Sequence, residues 1–249
     1  MIELTAPAKL TWFLEITGRR EDGYHELRSE MVTLELADLL RVDPEGDYFR
    51  VEGAGEDVPR DDTNLVARAL KLVNRSAGVT LVKRIPSGGG LGGGSADAGA
   101  ILRWAGGVSA TRALELGGDV PFCQLGGRAL VEGVGERLTP LDFVAREVTL
   151  MMPEFAVNTR RCYEVYDELV TEGHQFDGRN HLERAATLAE PRLATTLAWL
   201  RATYGSQITV AGSGSTMFLE GHLSNDEHEW DVTGPEGTVR FRQTTTTPA

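Results

Sequence analysis

Residues 86 to 98 read Pro-Ser-Gly-Gly-Gly-Leu-Gly-Gly-Gly-Ser-Ala-Asp-Ala: six glycines at a junction between a strand-like and a helix-like run, with no lysine among them. Few folds have a use for such a junction. Gly88, Gly89, Gly90, Gly92, Gly93 and Gly94 carry no Cβ and can take positive φ, so successive N–H groups can turn toward one anion. Ser95 stands where a helix is expected to begin, and a helix N-terminus adds donors and partial positive charge. Pro86 to Ser95, with Ser87 and Leu91 among the glycines, is therefore read as a backbone cradle for an oligophosphate. The spacing Gly88-x4-Gly93-Gly94-Ser95 imitates a P-loop, yet Gly94 occupies the lysine position, which argues against that class. Gly88-x-Gly90-x-x-Gly93 is a weak dinucleotide fingerprint, because any glycine run satisfies it and no acidic residue ends the next strand. A flexible linker is the plain alternative, opposed by the structured segments that flank the run closely.

The chain has 249 residues, 41% hydrophobic and 25% charged, enough for one large domain or two smaller ones. Its 37 acidic and 25 basic side chains give a net charge of −12, which argues against a general nucleic-acid or anionic-membrane binder. A phosphorylated substrate must then be drawn in by local charge, backbone donors or a divalent cation. No signal peptide or spanning apolar run is evident, so the expected address is cytoplasmic. Cys123 and Cys162 are isolated, giving neither a disulfide framework nor a metal site. His25, His174, His181, His222 and His228 lack zinc-ligand spacing and are expected mostly at the surface.

Strand and helix signals alternate. Residues 2 to 16 read as two extended segments around Pro7, followed by a polar turn at 18 to 23, a strand region at 31 to 42 and a short strand at 48 to 51. Thr63 or Asn64 caps an amphipathic helix with Leu65, Ala69, Leu72 and Val73 on one face, ended by Gly78. In the strand 79 to 85, Lys83 falls among apolar neighbours, either as an edge lysine that snorkels to water or as a residue beside the nucleotide. Short helices follow at 96 to 105 and 109 to 116. Asp119, ahead of Val120-Pro121, suits an N-cap first, and alternatively a general base toward an alcohol.

Three separated stretches resemble the superfamily of small-molecule kinases that includes galactokinase, homoserine kinase, mevalonate kinase and phosphomevalonate kinase. They are Ala6-Pro7-Ala8-Lys9-Leu10, residues 86 to 98 with Gly118-Asp119-Val120-Pro121, and Ala211-Gly212-Ser213-Gly214-Ser215. Thr17 to Leu27, reading Thr-Gly-Arg-Arg-Glu-Asp-Gly-Tyr-His-Glu-Leu, and Gly133-Val134-Gly135-Glu136 narrow the likeness to the branch that phosphorylates a cytidylylated methylerythritol in the non-mevalonate isoprenoid pathway. The likeness is close from about residue 5 to 141 and patchy to about 217.

The resemblance implies a two-domain α+β fold: an N-terminal domain (1–143) like ribosomal protein S5 domain 2, binding ATP, and a C-terminal ferredoxin-like domain (144–249). ATP would lie on the glycine loop, with Asn64 and Lys83 beside adenine, and Mg²⁺ would travel with it, without a dedicated carboxylate cage. Asp119 would accept the proton of the tertiary C2 hydroxyl and Lys9 would be its cationic partner. Tyr24 would stack on the cytosine, His25 would hydrogen-bond to it, and Tyr163, four residues from Thr159 on a helix, would complete an aromatic sandwich. Gly212, Ser213, Gly214 and Ser215 would turn back toward the phosphates. The sequence departs from the pattern at Thr11, beside the reacting groups, where asparagine is usual, and at Gly118, where alanine is usual. The stretch between the loop and Asp119 is one or two helical turns short. Beyond Gly221 the chain is polar and Thr-rich, the expected amphipathic helix of the ferredoxin-like half is not evident, and a trimmed or partly disordered end is expected. Another small alcohol as acceptor, or an inactive nucleotide-binding regulatory protein, are the competing readings.

Overall fold

The computed structural model describes residues 1–53, 58–223 and 227–249. Its frame is one long antiparallel hairpin, β1 (Ile2–Arg19) with β2 (His25–Asp43). Pro7 does not divide β1 in two, contrary to the sequence expectation. The strand continues through a register shift between Pro7 and Lys9, because proline's missing N–H costs one rung and a bulge absorbs the loss. Just past the shift, Lys9 donates its N–H to Leu91 O of the glycine loop at 3.0 Å.

The other edge of β2 is shared in turn by β5 (Arg128–Gly133) along 27–32, β11 (Gly237–Thr247) at 33–34 and β4 (Gly78–Val82) along 39–43. β3 (Phe49–Glu52) runs parallel to β4 and is joined to it through α1 (Leu65–Leu72), while β6 (Arg137–Pro140) pairs with β5. The glycine loop leads into α2 (Gly93–Trp104), then α3 (Ala110–Leu114) and α4 (Val120–Leu125). α2 buries Ala96, Ala98, Ile101 and Leu102 against Leu10, Leu34 and Leu81.

β7 (Glu147–Pro153) pairs with β11 on one side and β9 (Met217–Glu220) on the other; β8 (Thr209–Val210) flanks β9, and β10 (Glu229–Gly234) forms a hairpin with β11. Helices α5 (Thr159–Thr171), α6 (Glu183–Ala189) and α7 (Pro191–Tyr204) lie in the same half of the chain. Strand alternation divides the hydrophobic interior. Val148, Leu150, Met152 and Phe218 join the core built on β1, β2 and α2, whereas Met151, Met217 and Leu219 join the core built on α5, α6 and α7. The fold is α+β, with one sheet layer lying between two cores. No helix among the described residues is long and apolar enough to cross a membrane.

Several local expectations are revised. α1 buries Val66 and Ala69, and it ends at Val73, followed by Asn74 with φ of 51°, so Gly78 opens β4 rather than closing the helix. α2 starts at Gly93, two residues before Ser95. Four of the five histidines are half-buried and only His228 is exposed. Among the described residues no helix follows α7, in keeping with the missing ferredoxin-like helix. The expectation of a partly disordered end does not hold for residues 227–249: the Thr-rich segment belongs to β11, with Thr244 and Thr246 buried, because β-branched threonine suits a strand, here paired with β7 through Thr245 and with β2 at Thr246 and Thr247. The polar residues 224–226 lie outside the described residues.

Candidate active site

In the glycine loop, carbonyls and N–H groups are treated oppositely. Thr216 N donates to Gly89 O (3.1 Å), Lys9 N to Leu91 O (3.0 Å) and Ala96 N to Gly92 O (2.8 Å), so the loop's oxygens are tied back into the protein. Among the described residues no protein group accepts from the N–H groups of residues 88–92, and those of the first turn of α2 have no intrahelical partner. Alternate positive φ at Gly88 (72°), Gly90 (79°) and Gly92 (67°) produces this arrangement. Gly92 is also required for space: a Cβ there would sit 2.7 Å from Lys9 Cγ. The donors are left for an anion.

Lys9 passes beneath that glycine. Its Nζ lies 3.2 Å from Asp119 Oδ2 and donates to Thr11 Oγ1 at 3.1 Å. Thr11, in place of the usual asparagine, thus supplies an oxygen beside the lysine. Asp119 does occupy the N-cap position of α4, but its carboxylate makes no capping bond and turns to Lys9 instead. Lys9 is buried at 6% exposure, while the Asp119 side chain keeps 32%, so the carboxylate remains open to a substrate. Gly118 follows from close backbone packing: a methyl there would meet Val134 O at 3.2 Å. The 133–136 loop that presses on it is fastened by Glu136 Oε2, which accepts from Val134 N at 2.8 Å.

Lys83 is neither an edge lysine nor a free one. β4 is paired on both sides, and Lys83, just beyond it, is buried with its Nζ bonded to Asp38 and, at 3.0 Å, to Asp97 Oδ2. Asp38 also accepts from Ile85 N at 2.8 Å and from Arg84 N, fixing the strand that enters the glycine loop. Burial pushes the Asp97 carboxyl up to about 8; the Lys83 ammonium opposes this, and Asp38 adds to it. For Lys83 burial works downward, but the two carboxylates raise it overall, so it stays charged across the neutral range. An acid with a raised native pKa holds a proton that the unfolded chain has already released. Between about pH 4 and about pH 8, Asp97 should therefore make stability fall as pH rises. Urea unfolding across this window should show the decline, and Asp97→Asn should flatten it; an undiminished slope in that variant would acquit Asp97.

Asn64 caps α1 through Oδ1, which accepts from Val66 N at 2.9 Å, while Nδ2 donates to Pro59 O at 2.7 Å; its amide is thus already engaged where it faces the cleft. On the opposite wall Tyr24 is 66% exposed. The His25 ring lies 4.9 Å from Tyr163 at 30° and edge-on to Tyr166 at 5.8 Å, so Tyr163 meets His25 as its ring neighbour. Thr159 Oγ1 is 3.1 Å from Ser213 Oγ. The 212–215 turn reaches the glycine loop, where a Cβ on Gly90 would come within 2.8 Å of Gly214 O.

All of these border one cleft of about 1020 Å³, with Lys9, Asp119, the glycine loop, Asn64, Lys83, Tyr24, His25, Thr159, Tyr163, Gly212 and Ser213 on its walls. Gly214 and Ser215 lie behind it, Ser215 being buried. Sequence reasoning gave no site role to Asp97, Arg19, Asp167, Val134 and Gly135, which also face this cleft. For Asp97 a signal existed: a lone carboxylate in an alanine-rich helix start asks for a buried cation, and Lys83 was a lone cation in an apolar strand.

Residues 64–127 match the family GHMP kinases N terminal domain. The chain is 34% identical to 4-diphosphocytidyl-2-C-methyl-D-erythritol kinase of Alcanivorax borkumensis, with 87% of this chain and 81% of that protein covered. It is 36% identical to the enzyme of the same name from Deinococcus radiodurans, covering 87% and 83%. Among solved structures, a 4-(cytidine 5'-diphospho)-2C-methyl-D-erythritol kinase is similar along 100% of both chains, with 30% identity and a TM-score of 0.73. A putative homoserine kinase from Listeria monocytogenes, at 17% identity and TM-score 0.53 over 88% of this chain and 86% of its own, shares the fold.

Proposed function

The chain belongs to the family of 4-diphosphocytidyl-2-C-methyl-D-erythritol kinases, and from that premise we propose that it transfers the γ-phosphoryl group of ATP to the C2 hydroxyl of the cytidylylated methylerythritol in the cleft described above. The observation that carries this reading is the Lys9–Asp119 pair, 3.2 Å apart at the edge of a loop whose N–H groups have no protein acceptor.

Phosphoryl transfer needs in-line placement and charge stabilisation more than covalent chemistry. Asp119 accepts the hydroxyl proton at its open carboxylate as the oxygen attacks. Lys9, held against Thr11 and Gly92, sets its ammonium beside both the carboxylate and the oxygens being transferred. The free N–H groups of the loop and of the first turn of α2 hold the phosphates. Mg²⁺ would come with the triphosphate and neutralise its charge. Ser95 and Asp119, both on the cleft wall, would offer it side-chain oxygens, with water filling the rest of its shell. Asn64 and Lys83 border the adenine end, and Tyr24, His25, Thr159 and Tyr163 the cytidine end. In this reading residues 1–143 form the ATP-binding domain and 144–249 the acceptor-side domain, with the 212–215 turn coming back toward the phosphates and Gly212 and Ser213 facing the cleft.

The test is an acceptor panel. ADP release should require the cytidine diphosphate-linked acceptor; equal turnover on homoserine or mevalonate would refute the assignment.

A further inference from the structure

His25 opens β2 directly opposite Arg19 in the β1–β2 register, and the ring reaches across to the far half of the molecule. There its Nε2 lies 2.7 Å from Asp167 Oδ1. The second oxygen of that carboxylate lies 3.3 Å from Arg19 Nη1, so Arg19 and His25 hold Asp167 from two sides. Asp167 follows Tyr163 by one helical turn on α5, and the two project from the same face into the cleft that His25 and Arg19 also line. The His25 side chain is 9% exposed and packed against Tyr163 and Tyr166, which fixes the plane of its ring. Among the described residues, its Nδ1 makes no hydrogen bond to protein.

A carboxylate accepts hydrogen bonds and cannot donate one, so Nε2 must carry the hydrogen in this pair. With one proton on the ring, the geometry holds a single tautomer, with a lone pair on Nδ1. That lone pair distinguishes the two pyrimidines. The exocyclic amine of cytosine can donate to it, whereas uracil presents a carbonyl oxygen at the same place and would set one lone pair against another.

On the reading that the cleft takes a cytidine-linked acceptor, we infer that Asp167, steadied by Arg19, is the positioning residue that selects the base of the acceptor, by fixing His25 with its proton on Nε2 and an acceptor at Nδ1. Asp167 acts through His25. A site whose buried acceptor is left facing another acceptor discriminates strongly. The same pair also ties the first hairpin to α5, so base selection and the closeness of the two walls depend on one carboxylate.

The experiment compares the wild type, Asp167→Asn and Asp167→Glu on the cytidine diphosphate- and uridine diphosphate-linked acceptors, and records the imidazole ¹⁵N shifts of His25. An asparagine can offer Nε2 either its oxygen or its amide, so it no longer dictates the tautomer. Asp167→Asn should raise KM for the cytidine acceptor about tenfold, the worth of one well-placed hydrogen bond. It should leave kcat and KM for ATP near wild type, and narrow the preference over the uridine acceptor. Asp167→Glu, keeping a carboxylate, should recover part of that preference. In the wild type the ¹⁵N spectrum should show the proton on Nε2, and in Asp167→Asn a mixture of tautomers. An unchanged preference in Asp167→Asn, a joint fall of kcat and ATP affinity, or a wild-type proton on Nδ1 would overturn the inference. Should the wild type ignore the cytidine acceptor altogether, the proposed function fails, and the ¹⁵N spectrum alone then decides whether Asp167 fixes the ring. If a variant does not fold, the wild-type spectrum and base preference still decide.

Discussion

Asp119→Asn is expected to lower kcat by about a hundred- to ten-thousandfold, the usual contribution of a positioned general base, while ATP still binds. Asparagine matches aspartate in shape and can still accept a hydrogen bond from Lys9, 3.2 Å away, so the wall of the cleft need not move. What disappears is the negative charge and the capacity to take a proton from the acceptor hydroxyl. Because the N-cap role of Asp119 involves no side-chain bond, the change should leave α4 intact. Calorimetric binding of ATP beside a coupled assay of ADP release separates the two effects. Turnover near wild type would remove Asp119 from the mechanism, and a parallel loss of ATP binding would mean that the residue supports the loop instead.

Lys83→Met should have the largest effect on stability, a loss of about 3–5 kcal/mol, because it strands the buried Asp38 carboxylate without its cation and takes a hydrogen-bond donor from Asp97. Asp38 has no exposed side-chain surface and Asp97 almost none. Water cannot compensate either of them, and Asp97 already lacks a partner at Oδ1. Chemical denaturation gives the magnitude. Combining Lys83→Met with Asp38→Asn should restore part of the loss, since the stranded charge is gone. A loss below about 1 kcal/mol, the scale of an exposed pair, would contradict the buried triad. If ATP affinity fell with stability unchanged, Lys83 would be serving the adenine and not the frame.

What the sequence revealed and what it hid divides along chain separation. The glycine loop was legible because its geometry is local: positive φ at alternate glycines and a helix starting immediately after them are written in adjacent residues, apart from a two-residue error in the helix start. Asp119 read first as a cap and second as a base, since both readings fit its neighbours. Only Lys9, brought to it from β1, distinguishes them. Asp38 was invisible for the same reason. Within a strand, one polar residue among apolar ones ordinarily marks the solvent face, and nothing nearby indicates that Lys83 and Asp97 will meet it in the interior. Asp167 was passed over because a carboxylate one turn after an aromatic residue on a helix looks like part of a solvated face. Its partner, His25, lies on the other side of the cleft. The Thr-rich end misled in the opposite direction: its low hydrophobicity pointed to disorder, while its β-branching, a strand property, carried less weight than it should have.

The way β11 is shared has a consequence for how this molecule is put together. Thr246 and Thr247 fill the gap on β2 between β5 and β4, pairing with Leu34 and Thr33, and Thr33 Oγ1 donates to Thr247 O at 2.9 Å across a separation of 214 residues. The neighbouring strands on that edge of β2 come much earlier in the chain. During synthesis, or in any chain stopped short of β11, Thr33 N keeps its bond to Gly127 O, but residues 33–34 lack their β11 rungs between the β5 and β4 pairings. Joining the two halves is therefore a late event that depends on a contact of very long range, which places this chain among topologies that fold slowly for their size. The glycine loop, by contrast, forms from residues that emerge together.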